Sequence, residues 1–105
     1  MLSIQMLCVY EDKIVPIIVA GKLRIKSGKR DEFIQKSIEA ISLARKLDAC
    51  EDFSVSVDPI DENRVNIFEK WKSRETLEEF RNSGPDNDSF SLVESFNVNE
   101  HEVNT

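Results

Sequence analysis

Glycine and proline are scarce, with three of each in 105 residues. Such a chain has little material for long linkers, and its length suits one small domain around one core. Cysteine is nearly absent: Cys8 and Cys50 have no CxxC partner and no neighbouring His, so zinc has no support and no metal is expected. Cysteine use this sparse fits a reducing, cytoplasmic setting. Positive charge is in deficit, with a formal net charge of −6. That balance weighs against nucleic acid and anionic membranes, both of which need a basic footprint. No apolar run approaches the ~20 residues that cross a bilayer. Met1 to Tyr10 lacks a basic start and runs into Glu11-Asp12, so it does not read as a signal peptide.

Familiar catalytic signatures are missing as well. There is no GxGxxG for a dinucleotide, no GxxxxGK[ST] for a phosphate loop and no GxSxG around a nucleophilic serine. The single histidine, His101, lies near the C-terminus without a Cys or His to share a metal. It is either a solvated strand residue or one whose imidazole reaches a pocket mouth. The acidic pairs Glu78/Glu79 and Asp86/Asp88 read as solvated charge, as does the basic run from Lys22 to Arg30.

What is present is a clear order of periodic segments. Residues 14–25, IVPIIVAGKLRI, alternate between an apolar and a mixed face, as a half-buried strand does. Ser27 is a plausible N-cap, with Asp31 and Glu32 favourable in a first helical turn. Phe33, Ile34, Ile38, Ile41, Ala44 and Leu47 then recur at helical spacing, and the helix should end near residues 47–49. Residues 52–58 alternate as a second strand, and Pro59 to Asn63 are turn formers. Residues 64–71 return as a third strand. Ser73 can cap a second helix that carries Leu77 and Phe80 and is stopped by Gly84-Pro85. A weaker strand spans residues 92–103. The order βαββαβ predicts an α+β, ferredoxin-like antiparallel sheet with both helices on one face. The bare sheet face predicts a homodimer with sheet packed on sheet. Residues 1–15 read as an N-terminal extension, frayed or pairing with a sheet edge, and residues 16–105 as the domain.

The third strand and its exit hold the candidate chemistry. Glu69 and the only tryptophan, Trp71, share a parity with Val65 and Ile67. A carboxylate on so apolar a face must be paired, hydrogen-bonded or raised in pKa. Glu69 is either bonded to Lys22 or Arg24 of a neighbouring strand or available as a proton acceptor. Trp71 is either a core anchor or the wall of a substrate cavity. Asn66 falls on the opposite parity unless a bulge intervenes. Either parity could face the helices.

The segments IVAGKLRIKSGKRDEF, DFSVSVDP, RVNIFEKW and SRETLEEF, in this order, resemble the antibiotic biosynthesis monooxygenase domain, in its quinol monooxygenase branch. The resemblance covers about residues 16–103, and its most specific part is Glu69-x-Trp71 followed by Ser73 and a short helix. It implies a dimeric α/β-barrel assembly of ferredoxin-like subunits. It also implies oxidation of a small electron-rich phenol or hydroquinone by O2, with no cofactor. By this analogy Asn66, Glu69 and Trp71 would be catalytic, and Phe33, Phe80 and His101 would contact the substrate. Many members carry a His where this chain has Phe80, which argues against haem degradation. Two alternatives stand beside the oxygenase: a non-enzymatic dimeric module that binds a small molecule, and an isomerase of a small metabolite.

Overall fold

A computed structural model of the chain describes residues 14–83 and 89–103. Most of the N-terminal extension, Cys8, the Gly84-Pro85 helix stop and the Asp86/Asp88 pair lie outside the described residues. The elements run β1 (Ile17–Ile25), α1 (Arg30–Arg45), β2 (Cys50–Val57), β3 (Arg64–Trp71), α2 (Arg74–Ser83), a short 3-10 turn (Ser89–Leu92) and β4 (Val93–Glu102). The strands form one antiparallel sheet in the order β2-β3-β1-β4. This is the expected ferredoxin-like βαββαβ fold.

Element ends follow local chemistry. β1 begins just after Pro16, which has no N–H for the ladder, and so starts three residues later than the alternation suggested. The first helix is not capped by Ser27. Residues 26–29 close a turn instead, with the Lys29 N–H donating to the Lys26 carbonyl at 3.0 Å, and Gly28 supplies a φ of +76°. Lys29 is the N-cap and makes no side-chain bond, while Asp31 and Glu32 occupy the first turn as expected. The helix stops at Arg45, where the Lys46 and Leu47 N–H groups bond three residues back to Leu43 and Ala44. The second helix does start at its expected cap. Ser73 Oγ accepts from the Thr76 N–H and Thr76 Oγ1 accepts from the Ser73 N–H, each at 3.3 Å, a reciprocal capping box.

The register settles which parity meets the helices. Ile17, Val19 and Ile25 of β1, Val65 and Trp71 of β3 and Phe53 of β2 are all buried on one face. Phe33 and Ala44 of α1 and Leu77 of α2 pack onto that face. The core is divided. One cluster gathers Ile17, Val19, Ala44, Phe53, Trp71 and Leu77. The other gathers Ile25, Phe33, Val65 and Leu92 at the opposite end of the sheet. Val55 touches both, so the halves meet over β2. Toward β4 they part.

Gly21 stands at the parting. It is paired with Ile67 on one side and Val98 on the other, on the helix-facing side of the sheet. Its φ is +156°, and an added Cβ would collide with the Asn97 carbonyl oxygen and lie 2.7 Å from the Val98 Cα. Only glycine lets β4 come this close, and it leaves the sheet without a side chain midway along β1.

Candidate functional site

A cavity of about 350 Å³ lies over Gly21. Its floor includes Val19 and Leu23, which flank Gly21 along β1, and Ile67 and Val98, which pair with it across the sheet. Pockets for small ligands start at about 300 Å³, and a cavity of ~150 Å³ already accepts benzene, so one substituted ring fits. Phe90 and Phe96 stand at its rim, 68% and 65% exposed, with ring centroids 6.2 Å apart in an edge-to-face pair.

One end of the cavity is polar. Glu69 of β3 and Glu100 of β4 flank Val19 on the same face, and Arg81 reaches in from α2. Glu100 accepts from Arg81 at 2.8 Å and from Arg74 at 2.7 Å. These two guanidinium groups hold its carboxyl below the usual range, with Arg74 the stronger influence. Glu69 is in the opposite situation. Burial pushes its carboxyl up, and the Glu100 charge adds to this; the Trp71 hydrogen bond and the Arg81 charge pull the other way without reversing it.

Trp71 acts through Glu69. Its ring is wholly buried, and Nε1 donates to Glu69 Oε1 at 2.9 Å. The indole is wedged against Phe80, with centroids 5.1 Å apart, and meets Phe53 edge-on at 6.4 Å. Trp71 is therefore the core anchor of the two readings, set behind the carboxylate with no face on the cavity. Glu69 does not pair with Lys22 or Arg24, because both project from the other side of β1.

Several sequence-derived site residues are not brought to this cavity. Asn66 lies on the outer face, since β3 pairs with β1 without a bulge. There it donates to Asp58 at 3.1 Å and accepts from Arg64 Nε at 2.7 Å, which makes it part of the β2–β3 hairpin. His101 is also on the outer face, opposite Ile18, and exposed. Phe33 belongs to the far core cluster, beside Ile25 and Val65. Phe80 is half-buried against Trp71 and Phe53, one layer behind Glu69. Conversely, Arg81, Glu100, Phe90 and Phe96 line the cavity although the sequence did not single them out. Phe96 and Glu100 share the parity of Val98 along β4, and that was the only sequence signal pointing to them. Among the described residues, no group of three His, Cys, Asp or Glu side chains is placed to hold a metal ion. No helix among them is long and apolar enough to cross a membrane.

The fold recurs in solved structures. A Bacteroides thetaiotaomicron protein described as a possible oxidoreductase superposes with a TM-score of 0.73 at 15% identity, covering 86% of this chain and 99% of its own. A Chloroflexus aurantiacus protein, titled as a candidate antibiotic biosynthesis monooxygenase, gives 0.71 at 23% identity, over 86% and 94% of the two chains. A Deinococcus radiodurans protein of the same description gives 0.73 at 17% identity, over 85% and 93%. At these identities the likeness is one of fold. In sequence, the uncharacterized protein sll1783 of Synechocystis is 35% identical over 63 residues. That match takes in 60% of this chain and 43% of the relative, so the chain spans less than half of that protein's length. The family model described as antibiotic biosynthesis monooxygenase matches residues 16–90, which include β1, both helices, the β2–β3 hairpin and the Glu69-x-Trp71 pair. With most of its length matched and the family's sheet and helices in place, the chain belongs to the antibiotic biosynthesis monooxygenase family.

Proposed function

We propose that the protein is a monooxygenase that needs no bound cofactor and oxidises a small electron-rich phenol or hydroquinone with O2 in the cavity over Gly21. The observation that carries this reading is a half-buried carboxyl, Glu69, at the polar end of an otherwise apolar hollow of ring size. Burial raises the basicity of Glu69, the direction a general base requires, and the Trp71 indole hydrogen bond fixes its orientation. The family membership adds the reaction type as an analogy of fold and sequence.

The chemistry balances with O2 as the sole oxidant. Glu69 accepts the phenolic proton, and the phenolate passes one electron to O2. The aryloxyl radical and superoxide combine to form a C–O bond at a ring carbon, and the peroxide takes the proton held by Glu69. That carbon then loses its hydrogen to Glu69 as a proton while the O–O bond breaks, leaving a carbonyl. The departing hydroxide takes this second proton from Glu69 and leaves as water. A hydroquinone and one O2 thus give a hydroxyquinone and one water. The apolar floor excludes competing water and orients the ring. Trp71 enters as a positioning residue, because its indole N–H is committed to Glu69.

We further propose that the protein acts as a homodimer, with Ile18, Ala20 and Phe68 on the outer sheet face covered by a second copy. Light scattering at micromolar concentration should give twice the chain mass, and a clean monomer refutes the assembly. For the activity, an oxygen electrode with a panel of dihydroxyarenes should show uptake above the spontaneous rate, matched one-to-one by quinone. Saturable thermal stabilisation by the same compounds without oxygen uptake would instead establish a binding module.

A further inference from the structure

Two carboxyls compete for one cation at the polar end of the cavity. Glu69 of β3 and Glu100 of β4 both pair with Val19, so their backbones stand on either side of it, about 10 Å apart. Arg81 of α2 lines the same end. Its Nη1 donates to Glu100 Oε2 at 2.8 Å, while Arg74 Nη1 donates to the other oxygen, Oε1, at 2.7 Å. Among the described residues, no hydrogen bond or ion pair joins Arg81 to Glu69, whose Oε1 accepts from the indole. Solvation explains the choice. Glu100 is exposed and keeps its charge at little cost, whereas a pair with Glu69 would require a half-buried carboxyl to ionise. The Arg81 side chain is 45% exposed, so it has room to turn. Cys50 of β2 also faces Glu69, as a thiol that burial keeps protonated, and Glu78 and Glu102 face Arg74.

Building on Glu69 as the base of the reaction proposed above, we propose that Glu100 is a positioning residue that holds the Arg81 guanidinium on itself and off Glu69. Arg74 orients Glu100 for this role by occupying its other oxygen. Glu69 is thereby left without a cationic partner and can accept the proton of the substrate. The opposite arrangement would disable the site. A cation in contact with a carboxylate lowers its proton affinity by about tenfold to a thousandfold. Ion-paired to Arg81, Glu69 would be a weak base with its oxygens engaged by the guanidinium fork. The negative charge of Glu100 works in the same direction as its grip on Arg81, because it adds to the rise that burial causes in Glu69.

The coupling between Arg81 and Glu69 tests this on the full chain without substrate. In 15N-labelled protein the Trp71 indole N–H, bonded to Glu69, reports the midpoint of the Glu69 titration. Arg81→Gln is compared in two backgrounds, wild type and Glu100→Gln, so that the direct loss of the Glu100 charge cancels. Once Glu100 is neutral, Arg81 should turn to Glu69, and Arg81→Gln should then raise the proton affinity of Glu69 about tenfold or more. In the wild type the same change should have a clearly smaller effect. Glu100 and Arg81 are both exposed, so the variants should keep the wild-type circular dichroism, and Glu100→Ala is a second background with the same expectation. An effect of Arg81→Gln that is equal in the two backgrounds, or smaller without the Glu100 charge, overturns the proposal. Oxygen uptake separates its fate from that of the wider reading. Coupling that grows without Glu100, in a protein that consumes no oxygen, upholds the hold on Arg81 and removes the oxygenase. Where uptake is present, Glu100→Gln should move its acid limb to lower pH. A limb that stays put while the indole midpoint moves removes Glu69 as the base and leaves the positioning intact.

Discussion

Replacing Trp71 by Phe should cost more when Glu69 is ionised than when it is neutral. The change deletes the Nε1–H donor 2.9 Å from Glu69 Oε1 while keeping an aromatic ring against Phe80 and Phe53. A hydrogen bond to a charged acceptor contributes about 1.5–3 kcal/mol, and one to a neutral acceptor about 0.5–1.5 kcal/mol. The repacking cost of losing part of the indole is common to both states and cancels in a comparison. Glu69→Gln supplies the neutral state, since its amide oxygen can still accept from the indole. Urea unfolding at pH 8 should therefore show Trp71→Phe to be more damaging in the wild-type background than in the Glu69→Gln background, by about 1 kcal/mol or more. As pH falls below the ordinary carboxylate range, the Glu69 carboxyl becomes protonated in folded and unfolded chains alike, and the excess should vanish. An equal cost in both backgrounds at pH 8 would show that the indole does not hold a charged carboxylate.

Other consequences are sharper for single sites. The folded-state pKa of Glu69 is raised, so its effect favours folding at acid pH and is lost as pH rises through the folded value. Glu69→Gln should thus match or exceed wild-type stability at pH 8 while oxygen uptake falls to background, which differential scanning calorimetry and an oxygen electrode can measure. Gly21→Val should drive its Cβ into the Asn97 carbonyl and force β4 away from β1, with a destabilisation of about 3 kcal/mol or more in urea unfolding and loss of ligand binding. Asp58 accepts the Asp61 and Ile60 N–H groups and the Asn66 amide, and these bonds, led by that of Asp61, draw its pKa down to about 2. Its contribution is present above the ordinary carboxylate range and lost as pH falls toward 2, so Asp58→Ala should lower Tm at pH 7 and make little difference at pH 2. Ser73→Ala should remove the reciprocal cap of α2 at a cost of about 1 kcal/mol in urea unfolding.

The architecture was readable because burial on one sheet face writes a period of two into the strands and the helices each carry an apolar stripe. Residues 64–71 were bounded correctly by their alternation alone, and Ser73 by its place just before an amphipathic run. Element starts were harder. Ser27 has the chemistry of an N-cap, but the Lys26–Gly28 turn needed the positive φ of Gly28, and the helix began two residues beyond it. At the site, parity placed Glu69 with Trp71 correctly, yet the hydrogen bond that makes one the support of the other depends on rotamers. Alternation set Asn66 on the opposite parity to Glu69 but left open which parity meets the helices, and only the unbroken pairing of β3 with β1 puts Asn66 on the outer face. Arg81 and Glu100 come from different elements and meet only through tertiary packing, so no local pattern could pair them. The cavity itself was the least legible feature, because its lining is drawn from β1, β3, β4, α2 and the 3-10 turn. Gly21 was visible in the strand, but that its neighbours would leave a hollow of ring size required the sheet register and the divided core.

Because the chain has one tryptophan, its indole N–H gives a single resonance that reports directly on the Glu69 carboxylate beside the cavity. Titrating hydroquinone into 15N-labelled protein should shift that signal saturably, together with the amides of Val19, Ile67 and Val98. An indole signal that stays fixed while Asn66 and His101 respond would put the ligand on the outer sheet face and contradict the assignment of the cavity over Gly21 as the site.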